Sequence, residues 1–468
     1  MRTPMGRGTT APGHRRDAGA AACPAGAPAT RAGLAAVTGL AAAACLSTPD
    51  PAASDAPAPD ARVDGLAPCV GGFVGGTHVG TELHGTGRVA LSGGAAQGTF
   101  TSPVFAAAEP RAWRTLRWQP LRPSLKALPD AMASESGYAA GNADLAGNRL
   151  LLHLDDTPAY DDASGAGHSA TCDPGPPDRC PSPVPGLFRR ALDLDVDAEA
   201  GTLDNDRLRI AATAALAPAQ VTVEAWVRPS RLPDGGARMM ILTKGWADPV
   251  APPFASYSIE YNSSGTFRCY AAASAAGEEL LDGTIPVAPG GWHHVACTYD
   301  GQALRLYVDG VADGDLPAAG TLQYGMTGSD DVLIGAWNDA QFFDGAIDEV
   351  AIHDHALPAS ELLERARRGL LRLTWQVRVC DDAACDGDDG AWRGPDGTAA
   401  TFYSEACASG AGPPALAVND LDCDGDGVAD DGPGLAVPPA RFVQLRAAFD
   451  SHRPGDSPEL VSYELCED

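Results

Sequence analysis

The sequence predicts an all-β protein of more than one domain, and three observations carry that prediction. The stretch Gly291-Trp292-His293-His294-Val295-Ala296-Cys297-Thr298-Tyr299-Asp300-Gly301 runs directly into Leu304-Arg305-Leu306-Tyr307-Val308-Asp309-Gly310. Two Asp-Gly pairs, each following a β-branched or aromatic run, are hairpin signals, because such turns need positive φ. Leu304, Leu306 and Val308 alternate with Arg305 and Tyr307, so one face is expected to be buried and the other wet. Composition points the same way: 54 Gly and 39 Pro against 6% aromatics, with many short β-like runs, favour sandwiches over helical bundles. Length decides the rest, since 468 residues have room for two or three cores.

From the N-terminus, Arg2, Arg7, Arg15, Arg16 and Arg31 precede an apolar run from Leu34 to Ala44 that ends at Cys45. That is the layout of a secretory signal over 1–45, and the run is far short of the roughly 20 residues a membrane-spanning helix needs. Ala42-Ala43-Ala44-Cys45 resembles a bacterial lipobox, which implies lipidation of Cys45 and an exported, surface-anchored chain; simple cleavage near Ala44 is the alternative. Residues 46–68 are Pro, Ala, Ser and Asp with almost no large apolar side chain, the composition of a disordered tether.

Gly98 to Phe105 and Trp113 to Trp118 read as strands of a flanking unit, 69–147. Leu150 to Asp155 opens a second unit, 148–370, followed by a loop with Asp162, Ser164, Gly165 and His168. Its strands continue through Leu192 to Val196, Val221 to Pro229, Ile241 to Lys244, Tyr257 to Tyr261, Phe267 to Ala271, the hairpin, Val332 to Gly335 and Phe343 to Ile352. A short helix, capped by Ser360 and running through Glu361-Leu362-Leu363-Glu364-Arg365-Ala366, is expected to end at Gly369. Leu373 to Val379, Trp392 to Pro395, Ala440 to Ala447 and Ser457 to Tyr463 supply further strands in 371–468.

Several of these segments resemble a known family. The hairpin, Val221-Thr222-Val223-Glu224-Ala225-Trp226-Val227-Arg228-Pro229 and the closing Phe343-Asp344-Gly345-Ala346-Ile347-Asp348-Glu349-Val350 are similar to the core strands of laminin G-like, concanavalin A-like jelly-roll domains. The flanking segments resemble, in order, one small β-sandwich of exported bacterial proteins. The expectation is therefore a concanavalin A-like sandwich inserted into a second, smaller β-sandwich.

Removing 1–45 leaves 28 basic and 60 acidic residues, a net charge near −32. Such a surface repels nucleic acid and anionic headgroups, so no nucleic acid is expected as partner and a membrane only through a lipid anchor. Ten cysteines follow the leader, an even number in an exported chain. Spacing suggests Cys69 with Cys466, Cys172 with Cys180, Cys269 with Cys297, Cys380 with Cys385 and Cys407 with Cys423. None forms a C-x-x-C knuckle with a matching second pair, which argues against zinc.

Asp420 to Asp431 alternates Asp with Gly, so that several carboxylates can converge on one hard cation. It resembles bacterial thrombospondin type 3-like repeats, which implies calcium held by Asp422, Asp424, Asp426, Asp430 and the Val428 carbonyl; a solvated acidic turn is the alternative. Pro433 stands where an EF-hand would carry its bidentate Glu. Asp348, read as in phase with Val350 and Ile352, is expected at the buried side of the closing strand, where it and Asp155 could hold a second cation or hydrogen-bond to loop amides. His293, His294, His353 and His355 invite a metal, but neighbouring strand residues point to opposite faces, and the family pattern places the first two in the core. Trp226, Trp246, Trp292, Trp337 and Tyr270 could stack on sugars; Trp226 and Trp292 lie in core strands, which leaves the loop residues Trp246 and Trp337 as the candidate ligand contacts.

No E-x-D-x-x-E strand, G-x-S-x-G elbow, H-E-x-x-H helix or phosphate-binding loop occurs in the sequence. The expected function is non-catalytic binding of a glycan or an extracellular protein. A structural or adhesion spacer and a divergent glycoside hydrolase are the alternatives.

Overall fold

The computed structural model describes residues 69–155, 160–172, 179–196, 205–274, 277–386, 390–407, 415–417 and 435–467. The leader, Cys45, the 46–68 tether, the Asp-rich loop with Asp422, Asp424, Asp426, Val428 and Asp430, and the Cys407–Cys423 pairing lie outside the described residues. The protein is all-β, with a concanavalin A-like sandwich inserted into a second, smaller pair of sheets.

The smaller pair is built from both ends of the chain. In one sheet, Trp113–Pro120 lies between Ala415–Ala417 and Glu459–Glu467, with Val89–Leu91, Thr81–Leu83 and Cys69–Gly71 completing it. In the other, Ala440–Ser451 joins Gln97–Thr101 to Leu371–Cys380. Phe100, Trp118, Trp375, Leu445 and Tyr463 pack one core from five strands. The Cys69–Cys466 disulfide fastens the first strand of this pair to the last, across 397 residues. Cys172–Cys180, Cys269–Cys297 and Cys380–Cys385 are also joined, the bonds of a chain that matures in an oxidising compartment.

The inserted sandwich faces an eight-stranded sheet against a six-stranded one. The larger sheet runs from Val311–Pro317 through Ala303–Val308, His293–Tyr299, Val221–Pro229 and Gly345–His353 to Arg190–Leu194 and Ser182–Pro185; Asn148–Leu152 also pairs with Gly345–His353. The smaller runs Leu208–Ile210, Ser329–Ile334, Arg238–Trp246, Tyr257–Asn262, Phe267–Ala273, Gly277–Asp282. Alternation dictates the filling, with Val223, Val295, Leu306 and Ile352 from one sheet meeting Ile241, Ile259, Phe267 and Ile334 from the other.

The outer face of the eight-stranded sheet is not wet as the alternation suggests. Tyr307 is buried against Leu357 and Leu362, because the helix Ala359–Leu370 lies on that face. The helix starts from Pro358, whose carbonyl accepts the Glu361 and Leu362 N–H groups, and not from a Ser360 cap. It also runs through Gly369 to Leu370. Gly369 serves as a packing residue, since a Cβ there would sit 2.6 Å from the Trp226 ring. Among the described residues no helix is long and apolar enough to cross a membrane.

The closing strand departs from simple parity as well. Glu349 has φ +49°, and the register opposite Glu224 and Trp226 shifts there, a β-bulge. Ile347 and Val350 therefore both enter the sandwich core. Asp348 is fully buried, but on the opposite face, beneath Leu187 and Phe188.

Candidate functional site

With one outer face covered by the helix, the outer face of the six-stranded sheet carries a cleft of about 240 Å³. In the Tyr257–Asn262 strand, Tyr257, Ile259 and Tyr261 fill the core, which turns Ser258 and Glu260 outward. Arg238 and Met240 stand on the strand beside them, and Tyr270 and Leu280 come from the next two. Loops close the cleft: Val250, Phe254 and Ala255 on one side, Trp337 and Gln341 on the other.

Hydrogen bonds hold this lining in place. Trp337 Nε1 donates to the Phe254 carbonyl at 3.0 Å, joining the two loops. Phe254 N–H is shared by Tyr270 Oη at 3.0 Å and Glu278 Oε1 at 3.1 Å, and Tyr270 O–H donates to Glu278. Burial, then the Glu278 charge and hydrogen bond, raise the Tyr270 phenol above its ordinary value, so it is a neutral donor. Gln341 stands at φ +56°, its carbonyl accepting Met240 N–H at 2.8 Å and its Oε1 accepting Arg238 Nε–H at 3.4 Å.

Glu260 is the chemical centre of the cleft. It is 3% exposed; Oε1 accepts the Ser258 hydroxyl at 2.9 Å, while Oε2 has no hydrogen-bond partner among the described residues. Arg238 Nε and Arg268 Nη1 stand 3.5 and 3.7 Å from that oxygen, beyond direct hydrogen bonds. Burial raises the carboxyl above its usual range, against the opposing pull of the two guanidiniums and Ser258. Val250 and Leu280, 68% and 45% exposed, give the mouth an apolar rim.

Of the two tryptophans chosen from sequence, the structure brings Trp337 to this cleft and not Trp246. Trp246 ends its strand half-buried, its carbonyl accepting Gly328 N–H at 3.0 Å and its ring lying where a Gly328 Cβ would go. Sequence reasoning missed Glu260, Arg238 and Gln341. The parity of the Tyr257–Asn262 strand is the signal that could have found Glu260.

Asp155 and Asp348 sit near one another without sharing a partner. Asp348 Oδ2 accepts Leu187 and Phe188 N–H at 3.0 and 3.4 Å, and Oδ1 has no partner among the described residues. Burial, then Glu349 and Asp155, push it well above the carboxylate range. Asp155 accepts Arg190 N–H at 3.0 Å and Arg189 Nη1 at 3.2 Å, and burial raises it to about 6. Among the described residues, three close ligand atoms occur together only at Cys69, Glu464 and Cys466, two of which are spent in a disulfide.

The histidines divide. His294 and His353 both reach buried Glu224, each with Nε2 at 3.1 Å, and Arg365 Nη1 donates to the same carboxylate at 2.6 Å. Burial would raise Glu224, but the Arg365 charge and the two imidazoles outweigh it and hold it well below its usual range. Burial, then Arg365, lowers His353 to about 4. A cation is thus already supplied, by the guanidinium. His293 pairs with Asp309 at 2.8 Å, and His355 with Asp354 at 3.2 Å.

A second buried cluster, where the two sandwiches meet, was not visible from sequence. Arg368 Nη1 meets Glu135 at 2.7 Å, Lys126 Nζ lies 3.3 Å from the same carboxylate, and Tyr138 O–H donates to Glu405 at 2.9 Å. Ser124 N–H also donates to Glu405, whose complete burial raises it to about 8.

Residues 201–363 match the family model described as the concanavalin A-like lectin/glucanases superfamily, laminin G type. Among solved structures, domain 4 of AbnA, a GH43 extracellular arabinanase from Geobacillus stearothermophilus in complex with arabinotriose, is 18% identical over 47% of this chain and 98% of its own, with TM-score 0.35. The binding domain of Paraclostridial Mosquitocidal Protein 1 is 12% identical over 50% of this chain and 58% of its own, with TM-score 0.38. The receptor-binding domain of botulinum neurotoxin C/D mosaic serotype is 12% identical over 52% of this chain and 55% of its own, with TM-score 0.37. No curated protein matches the chain. The inserted sandwich, into which residues 201–363 fall, is similar to the laminin G-type domains of the concanavalin A-like lectin/glucanases superfamily.

Proposed function

We propose that this chain is an exported, non-catalytic binding protein that takes a glycan or an extracellular protein in the cleft beside Trp337. The observation that carries the reading is Glu260 Oε2, a buried acceptor without a hydrogen-bond partner among the described residues, set in an aromatic cleft with an apolar rim. The non-catalytic part is supported by the sequence, which carries no E-x-D-x-x-E strand to set two carboxyl groups across a glycosidic bond. The test is the fluorescently labelled full chain on a glycan array and on a panel of extracellular proteins, beside its Trp337→Ala variant. Binding lost in the variant supports the reading; binding on neither surface, or turnover of a bound glycan, contradicts it.

Calcium enters the same reading as a bound structural cation. The support is the Asp pattern of 420–431, and Asp348 Oδ1, a buried acceptor beside Asp155 and Glu349 that a cation could neutralise in place of a proton. Adding EDTA should lower the melting temperature of the full chain, and excess calcium should restore it. A melting curve indifferent to both removes calcium from the account.

A further inference from the structure

We propose that the smaller pair of sheets carries a second binding site, for a sulfate or phosphate group, built from Arg378, Arg446 and Trp392. Val377 and Leu445 point into the core of this pair, which turns their strand neighbours Arg378 and Arg446 to the outer face. The register sets Arg378 opposite Gln444 and Gln376 opposite Arg446, so the two arginines stand on a diagonal of adjacent strands. Val377 and Arg393 exchange backbone hydrogen bonds at 3.0 and 2.9 Å, a rung that brings half-buried Trp392 alongside Arg378. The Arg378 and Arg446 Cζ atoms lie 4.7 and 4.6 Å from the centre of its ring. One indole therefore holds two guanidiniums in fixed orientation.

The charge of the pair is not compensated within the protein. Gln444 Nε2 donates to the Ser102 carbonyl at 2.8 Å and Gln376 Nε2 to the Thr401 carbonyl at 2.9 Å, which turns both amide oxygens towards the arginines. Arg378 donates to Gln444 Oε1 at 2.7 Å and to the Cys385 carbonyl at 2.9 Å, and Arg446 donates to Gln376 Oε1. Every one of these acceptors is neutral. Elsewhere Arg149, Arg305, Arg365 and Arg368 each face a carboxylate, whereas neither Arg378 nor Arg446 is in an ion pair among the described residues. In the turn that follows, Asp382 spends its Oδ1 on the Ala384 and Cys385 N–H groups. Burial, then the Arg378 charge, lower the Arg446 guanidinium below its ordinary value, so the two cations repel in a chain of 33 basic and 61 acidic residues. Arg378 Nη1 and Arg446 Nε and Nη1 have no acceptor among the described residues, and none of the three is enclosed. A sulfate or phosphate matches this arrangement, with oxygens for the open N–H donors and two negative charges for the two positive ones. A carboxylate brings one charge, and a neutral ligand leaves the repulsion in place.

The experiment is isothermal titration calorimetry of the full chain, in a buffer low in chloride, with inorganic sulfate and inorganic phosphate, and with acetate as the singly charged control. At least one of the two is expected to bind at least about tenfold more tightly than acetate, and methyl sulfate against methyl phosphate then shows which ester the site takes. Arg378→Gln and Arg446→Gln each remove one guanidinium and should weaken the bound ion at least about tenfold. Arg441→Gln removes an exposed arginine of the same strand that stacks on Phe442, and should bind as the parent does. The parent titration and the comparison with Arg378→Gln keep the test decisive if the Arg446 variant fails to fold. No binding of either ion by the parent, acetate bound as tightly, undiminished binding in both site variants, or an equal loss in Arg441→Gln overturns the site. The result is independent of the cleft beside Trp337, which lies on the other sandwich.

Discussion

Replacing Arg365 by Met should destabilise the inserted sandwich by about 3–5 kcal/mol, the usual cost of removing one partner from a buried ion pair. The magnitude follows from what is left behind. Glu224 is 1% exposed, and Arg365 is its only guanidinium partner among the described residues, 2.6 Å away. Met preserves the side chain's packing volume, so the loss is electrostatic. At roughly 2.1 cal/mol/K per residue of unfolding entropy, a domain of about 220 residues loses about 2 °C per kcal/mol, so a fall of roughly 7–11 °C is expected. His353 supplies a second readout. In the parent it is held at about 4, below its unfolded value of 6.5, so the unfolded chain binds the extra proton and this group makes stability rise with pH between about 4 and 6.5. Without Arg365, the lowering by its charge is lost while the lowering by burial stays, so the folded value should rise from about 4 towards 6.5 and the rise of stability with pH over that window should flatten. Urea unfolding of parent and variant at pH 5 and pH 7.5 measures both effects. A loss under about 1 kcal/mol at pH 7.5, with an unchanged pH dependence, would refute the claim that Arg365 is what keeps Glu224 ionised.

Glu405 should act in the opposite sense in the same pH range. Raised from 4.5 to about 8, it holds its proton in the fold and releases it on unfolding, so its contribution is full below about 4.5 and lost as pH rises towards 8. At about 1.4 kcal/mol per unit the ceiling is roughly 5 kcal/mol. Glu405→Gln should flatten the urea midpoint between pH 5 and 9 relative to the parent, and an identical slope in both would contradict the burial argument. Removing the Cys69–Cys466 bond by a double Ser substitution should cost about 2–4 kcal/mol, because the bond closes a loop of almost the whole described chain; thermal melts of the two proteins check this, and equal melting temperatures would contradict it.

The fold was largely legible because its signals are local. The Asp-Gly turns at 300–301 and 309–310, the alternation of Leu304, Leu306 and Val308, and the ordered series of flanking strands each reflect backbone geometry within ten residues or so. The site was legible only in part. Which outer face stays open depends on where the helix Ala359–Leu370 lands, a long-range packing outcome that also buries Tyr307. Asp348 shows the limit of parity: one left-handed residue, Glu349, moved it to the other face, and no glycine marked the bulge. Glu260 sits in a strand whose alternation was plain. Arg238 and Gln341, which line the cleft with it, come from positions 22 and 81 residues away on either side, so their convergence needed the folded sheet. The buried groups around Glu224, Glu135 and Glu405 likewise join residues from distant segments.

The claim on which the rest depends is that the inserted sandwich binds its ligand through the cleft beside Trp337. The most direct measurement compares the labelled full chain with its Trp337→Ala variant across the glycan array and protein panel, each protein first shown to melt cooperatively. The expected result is a defined set of ligands for the parent that is lost, by at least about tenfold in affinity, in the variant. Undiminished binding by a folded Trp337→Ala protein would place the ligand elsewhere and contradict the account.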